Sequence, residues 1–380
     1  MSFYEKLGIK RIINASETYT GLGGSLMDEK TMGAMAEAGQ AFVDYPTLLD
    51  AVCKKSAEIT NNESAFVTTG AAGGVILSAV ACMCEGNECA LEQIPHTADF
   101  EKNEILIFDG KFRQEIPYWK LIGLTGAKIV SVKPQVEEMV RAVTQRTAAV
   151  FLFPATLYEE GIPTCEEVIP KLKKTGVRIV VDAAAQLPPK SNLWYYTKEL
   201  GADLTVFSGG KHIKGPQCTG LIVGKKELTD ICRKAASPNP FIGRAFKTGK
   251  EELAGFLTAL ELFVGENEEE RYQRQEKMLL ELEKRLKSGV GEGVLQTEIR
   301  TQGRLGTYQP LLLVTLPDGK TAEACNKYTR SLNPQIDVGV YQPEFQMPEN
   351  MIFLNAYNLK AHEVQIVADA VLDYIKLEKV

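Results

Sequence analysis

Lys211 stands in SGGKHIKGPQCTG (208 to 220), a glycine-rich stretch between the apolar runs DLTVFS and GLIVG. A lysine amine held by glycines in a partly desolvated pocket has a lowered pKa and can form an imine with an aldehyde. About thirty residues earlier, roughly one βα unit, Asp182 ends the buried-type run RIVVD. A carboxylate at the carboxyl end of an interior strand lies where open α/β sheets place their ligands, and it needs a compensating partner such as a protonated pyridine nitrogen. The third segment is AFVTTGAAGGVILSAVAC, a short strand turning through Gly70 into a helix that opens on the small residues Ala71, Ala72, Gly73 and Gly74. Such a helix start offers free N–H groups and a positive dipole end to a phosphate. An aldehyde, a pyridine nitrogen and a phosphate together describe pyridoxal 5'-phosphate (PLP), with Lys211 as the Schiff-base lysine.

Each segment has a plainer reading beside that one. Small residues at a strand-to-helix turn serve close packing, Asp182 can cap a following helix, and Lys214 is a competing amine three residues from Lys211. Ser208 offers a hydroxyl to the phosphate, and His212 stands next to the lysine. His96 is a loop histidine that either meets substrate or is ordinary surface. Phe112 and Tyr118 are candidates for ring stacking or for core packing. Cys82, Cys84 and Cys89 cluster but lack the spacing of metal ligands.

The elements that must position these residues are legible in the hydrophobic pattern. Seven short β-rich runs alternate with helical stretches: 65 to 69, 104 to 108, 127 to 132, 148 to 153, 178 to 183, 203 to 208 and 220 to 224. Several are apolar on both faces, as strands covered by helices must be. This predicts an α/β fold, a doubly wound, mostly parallel seven-stranded sheet. Gly176 is placed to end the helix CEEVIPKLKKTG. After residue 225 come a long charged helix (265 to 289), apolar runs around 310 to 316 and 351 to 355, and a closing amphipathic helix, expected to make a smaller α+β domain. The expected division is an N-terminal arm (1 to 30), a large PLP-binding domain (31 to 262) and a small C-terminal domain (263 to 380).

Composition bounds the partners. The chain has 380 residues, with 43 basic against 49 acidic, so neither nucleic acid nor an anionic membrane is the expected partner. Its longest apolar run is far shorter than the ~20 residues that span a bilayer. Eight scattered cysteines and the opening MSFYEKLGIKRIIN, without an apolar signal segment, predict free thiols and a cytoplasmic location.

The segments SGGKHIKGPQCTG, VDAAAQLPP, TTGAAGG, INASETYTGLGGS and FIGRAFKTGKEELAGFLTALE together resemble, in their order along the chain, the selenocysteine synthase (selenium transferase) family, and within it the D-glucosaminate-6-phosphate ammonia-lyase branch. The resemblance extends over nearly the whole chain and implies the PLP-dependent transferase fold of type I. It implies Lys211 as the Schiff-base lysine and Asp182 as the partner of the pyridine nitrogen. Gly70, Ala71, Ala72 and Ser208 would form the phosphate cup, with Gln186 and His212 also at the cofactor. The chain departs from the family pattern at Glu17, where glycine is usual, and at Val338 and Gly339, where arginine is frequent. Thr20, Arg244 and Lys247 are then the candidates for substrate binding, with Lys250 nearby, although a basic helix face is equally often just solvated. The implied activity is a lyase that removes water and ammonia from a polar, phosphorylated amino acid or amino sugar acid in a homodimer or larger homo-oligomer. Other PLP chemistry on the same site, namely transamination, racemisation or aldol cleavage, and a selenium transferase acting on charged tRNA are the alternatives.

Overall fold

A computed structural model describes residues 2–110, 119–154, 161–291, 293–303, 305–340 and 347–377. The chain forms two compact units, one of Met1–Leu22 with Glu266–Val380 and one of Gly23–Gly265. Strand β1 (Ile12–Ala15) belongs to the first unit, and β2 (Ser64–Thr69), β3 (Glu104–Phe108), β4 (Lys128–Val132), β5 (Thr147–Leu152), β6 (Arg178–Asp182), β7 (Leu204–Ser208) and β8 (Thr219–Gly224) belong to the second.

In the Gly23–Gly265 unit these seven strands make one sheet of order β2-β8-β7-β6-β5-β3-β4. Neighbours from β4 to β7 run parallel, while β8 runs antiparallel to both β2 and β7. All seven predicted strands are present, displaced by at most a residue at either end. β5 and β8 are buried at every position, because helices cover both faces and leave no alternation to read. The helix Gly70–Cys84 is buried from Gly73 to its end and supplies the centre of the core with Leu77, Val80 and Ala81. The helix Cys165–Leu172 starts on a capping box between Thr164 and Glu167. It runs into the short turn Lys173–Thr175, which Gly176 closes in the left-handed conformation at φ 75°, as the sequence predicts.

The other unit carries a three-stranded antiparallel sheet of β9 (Gln296–Arg300), β10 (Leu311–Thr315) and β12 (Met351–Leu354), in the order β12-β10-β9. β11 (Gln335–Val338) pairs in parallel with β1, so the N-terminal strand is part of this unit's own sheet structure. Its core gathers Ile13, Ala15, Leu279, Leu282, Leu312, Val314, Val367 and Val371, drawn from β1, β10 and the helices Glu268–Val290 and Glu363–Lys376. Both helices are amphipathic, as their sequence spacing requires. No helix among the described residues is long and apolar enough to cross a membrane.

Candidate active site

Asp182 is the last residue of β6 and Ser208 the last of β7, two neighbouring parallel strands, so both stand at the carboxyl edge of the sheet. Lys211 follows β7 by three residues, in the turn that leads back into β8. That turn is held by its own backbone: Gly209 N–H donates to the Thr219 carbonyl (2.9 Å), Gly215 N–H to Gly209 (2.8 Å) and Lys214 N–H to Lys211 (3.0 Å). Gly209 and Gly210 are glycines for a steric reason. A Cβ on Gly210 would collide with the Gln217 backbone, and one on Gly209 with the Thr219 hydroxyl and the Phe256 ring. Lys214 takes a left-handed φ of 60°, a conformation that costs a non-glycine residue about 1 to 3 kcal/mol.

The Asp182 carboxyl is half-buried and accepts the Ala184 N–H at 3.1 Å. Burial pushes its pKa from 3.8 up to about 6, against the opposing pull of the Ala184 N–H and of the Lys211 amine. The lysine and the aspartate therefore share one electrostatic environment. Gln186, four residues on, is held by its backbone: its N–H donates to Ala183 (3.0 Å) and its carbonyl accepts from the Asn192 amide (2.6 Å). Its own side-chain Nε2 is buried without a hydrogen-bond partner among the described residues. An amide N–H2 left so is costly unless a ligand accepts from it.

The glycines of TTGAAGG separate into two roles. A Cβ on Gly74 would lie 2.7 Å from Val206 Cγ1, so this glycine lets the helix press onto β7, which is the packing reading. Gly70, at φ 62°, has open space where a Cβ would go, and Ala71 and Ala72 are partly exposed or exposed at the first helical turn. Thr69, the residue before the helix, makes no side-chain cap. Its hydroxyl donates instead to the Phe246 carbonyl at 2.5 Å. The N–H groups of the first turn are thus left without a side-chain cap, at the amino end of a 15-residue helix.

The same Thr69 contact brings FIGRAFKTGK to this helix start. Arg244 and Lys247 are exposed beside it, Arg244 donating to Ser237 Oγ at 3.4 Å. Lys250 is engaged otherwise, with its amine donating to the Ala38 carbonyl and pairing with Glu251 at 2.6 Å. His212 is buried directly after the lysine. His96 is exposed on the segment that enters β3, at the amino edge of the parallel strands and so opposite Asp182. Phe112 and Tyr118 lie outside the described residues. Thr20 lies in the other unit, exposed in the turn Thr20–Leu22. In that unit Glu17 accepts from the amides of Asn355 (3.0 Å) and Gln309 (3.4 Å), so the departure from glycine is matched by hydrogen-bond donors. All eight cysteines are free, and burial lifts the thiols of Cys53 and Cys84 to about 12.

Two side chains escaped the sequence reading. Ser25 donates from both its N–H and its hydroxyl to the lysine turn. Thr68 places a buried hydroxyl, without a hydrogen-bond partner among the described residues, beneath the helix start and facing Gly73. A lone serine after two glycines and a threonine within a strand carry no spacing signal that would mark them.

Known proteins match this chain at three levels. The family model "Aminotransferase class-V" matches residues 81–242. The chain is 31% identical over 292 residues to a 5'-C-glycyluridine monooxygenase-decarboxylase of Streptomyces sp, covering 74% of this chain and 70% of that protein. It is 26% identical to the D-glucosaminate-6-phosphate ammonia lyase of Salmonella typhimurium, covering 68% and 69%. An L-seryl-tRNA(Sec) selenium transferase of Clostridium perfringens is 24% identical, but the chain spans only 58% of its length. Among solved structures, a D-glucosaminate-6-phosphate ammonia-lyase superposes with a TM-score of 0.80 at 21% identity, over 99% of this chain and 98% of the other. A structure described as SPT with PLP superposes at 0.61 and 16% identity, over 95% and 87%. With a sheet, a turn lysine and relatives of this kind, the chain belongs to the selenocysteine-synthase-like family of PLP-dependent enzymes of fold type I.

Proposed function

We propose that this protein is a PLP-dependent lyase that removes ammonia from a polar, phosphorylated amino acid of the amino sugar acid class. One observation carries the reading of the site: the Lys211 amine acts on an Asp182 carboxyl whose pKa burial raises to about 6, and four residues on the buried Gln186 Nε2 has no hydrogen-bond partner among the described residues. The residues present fit the cofactor. Asp182 would hold the proton on the pyridine nitrogen, Gln186 Nε2 would donate to the ring's oxygen substituent, and the first turn at Gly70, Ala71 and Ala72 with Ser208 and His212 would hold the phosphate. When bound, PLP supplies an electron sink for negative charge developing at the substrate's α-carbon. Lys211 would hold the cofactor through its amine, and the same amine, when free, would serve as the general base for the substrate's α-proton. Loss of a β-hydroxyl as water and uptake of one water on hydrolysis would balance to a 2-oxo acid and ammonia.

The relative and the superposed structure named as D-glucosaminate-6-phosphate ammonia-lyases support this reaction and this substrate class. The Streptomyces relative supports a second reading, oxygen-dependent decarboxylation at the same site. One experiment separates them. The cofactor-loaded protein is incubated with a panel of D- and L-amino acids and amino sugar acids, with and without phosphate, while ammonia, carbon dioxide and oxygen uptake are followed. Ammonia and a 2-oxo acid from a phosphorylated amino sugar acid are expected. Carbon dioxide release with oxygen consumption would move the assignment to the second reading, and borohydride reduction that labels Lys214 or no lysine would remove Lys211 from its role.

A further inference from the structure

We infer that Ser25 is a positioning residue for Lys211, fixing the direction in which the lysine side chain leaves the backbone. Two peptide groups flank the Lys211 Cα, and the carbonyls of both accept hydrogen bonds from this single residue. Ser25 N–H donates to the Gly210 carbonyl at 3.0 Å, and Ser25 Oγ donates to the Lys211 carbonyl at 2.5 Å. Pinning both planes fixes φ and ψ of Lys211, and with them the Cα–Cβ direction. The approach is possible only because Gly24 has no side chain. Gly24 sits at φ 76°, and a Cβ there would collide with the Gly210 carbonyl. Gly23, at φ 86°, makes the turn that delivers the pair. The segment Gly23-Gly24-Ser25 is therefore a backbone clamp on the lysine turn, built from residues separated from it by some 186 positions in the chain. The Lys211 carbonyl also accepts from Lys214 N–H, so removing the hydroxyl loosens the plane without leaving the carbonyl unpaired.

The consequence for catalysis rests on the reading of Lys211 as the cofactor-bearing lysine, but the clamp itself is measurable without the cofactor. In cofactor-free protein, trace acetylation of lysines between pH 6 and 10, read by mass spectrometry with exposed Lys225 as internal reference, gives the pH profile of the Lys211 amine. Ser25→Ala should shift that profile and change the Lys211 rate about threefold to tenfold, the scale of one neutral hydrogen bond. Ser25→Thr, which keeps the hydroxyl, should restore it. In the loaded enzyme Ser25→Ala should lower kcat by a similar factor, leave KM in place and displace the pH midpoint of the visible absorbance. An unchanged Lys211 profile and absorbance midpoint in a folded Ser25→Ala protein, even with a lowered melting temperature, would show that Ser25 is structural only and overturn the inference. Borohydride labelling of the wild type elsewhere than Lys211 would overturn the functional reading instead, while leaving the acetylation comparison intact.

Discussion

Asp182 holds its carboxyl where burial disfavours the charged form. Burial holds its pKa at about 6, against 3.8 for a free carboxyl, so the folded chain binds its proton more tightly than the unfolded chain does. The associated stability is present in full below pH ~4 and is lost as pH rises through about 6, amounting to roughly 3 kcal/mol from a shift of about two units. Asp182→Asn keeps the shape and removes the charge. Melting curves of cofactor-free protein should show this variant more stable than wild type at pH 7.5, by up to ~3 kcal/mol, with the gap closing towards pH 4.5. The same substitution should lower turnover of the loaded enzyme about a thousandfold, because the ring nitrogen loses its anionic partner. A gap that stays constant with pH would show that Asp182 is ionised freely in the empty site. Arg244 and Lys247 make a second test at this scale, since both are exposed beside the helix start that would hold phosphate. A charge-assisted contact contributes about 1.5 to 3 kcal/mol, so each alanine variant should raise KM about tenfold to hundredfold with the cofactor absorbance unchanged. Loss confined to phosphorylated substrates would mark a phosphate site, equal loss with the unphosphorylated analogue a carboxylate site, and no loss would return both residues to solvent.

At the scale of elements, the seven strands of the large sheet were legible because buried parallel strands are continuous apolar runs, and the helix end at Gly176 because a left-handed cap asks for glycine. The ends of β6 and β7 were legible for the same reason, Asp182 and Ser208 being the polar residues at which two such runs stop. What the pattern did not disclose is contact between distant segments. Nothing in INASETYTGLGGS marks Ser25 as a partner of Lys211, and nothing in FIGRAFKTGK marks Phe246 as the acceptor for Thr69. The strand-to-helix turn contains a further contact of this type. Gly220, which opens the run GLIVG, faces the Gly70 carbonyl and Ala71 nitrogen so closely that a Cβ cannot fit between the strand and the helix start. Because the obstructing atoms are backbone, Gly220→Ala must displace the first turn of the helix, at a cost of about 1 to 3 kcal/mol. Its melting temperature should fall, and its affinity for PLP, followed by absorbance, should drop about tenfold. Gly123→Ala, where open space surrounds the added methyl, serves as the control and should change neither. PLP affinity at the wild-type level in Gly220→Ala would mean that the helix start does not hold the phosphate.

For the whole molecule, the candidate cofactor residues Gly70, Ala71, Ala72, Asp182, Gln186, Ser208, Lys211 and His212 all belong to the Gly23–Gly265 unit, and Thr20 belongs to the other. That unit also exposes apolar surface near its beginning. Leu26 is 62% exposed, Met32 47%, Phe42 104% and Val43 51%, within a stretch of eighteen residues that includes the helix Glu29–Gly39. Large side chains left in water this way cost about 1.5 to 3 kcal/mol each relative to burial, and exposed apolar surface, where it is contiguous, marks protein contacts. We expect the protein to form a homodimer that covers this stretch, with the ~800 Å² per partner of an ordinary stable interface. Sedimentation velocity at micromolar concentration should give twice the chain mass of 41.8 kDa. Phe42→Glu and Val43→Glu, each placing a charge where an apolar contact is expected, should weaken association about tenfold to hundredfold apiece while leaving the secondary structure of the monomer intact. A wild-type monomer across the concentration range would remove the assembly, and a dimer indifferent to both substitutions would place its interface on another face.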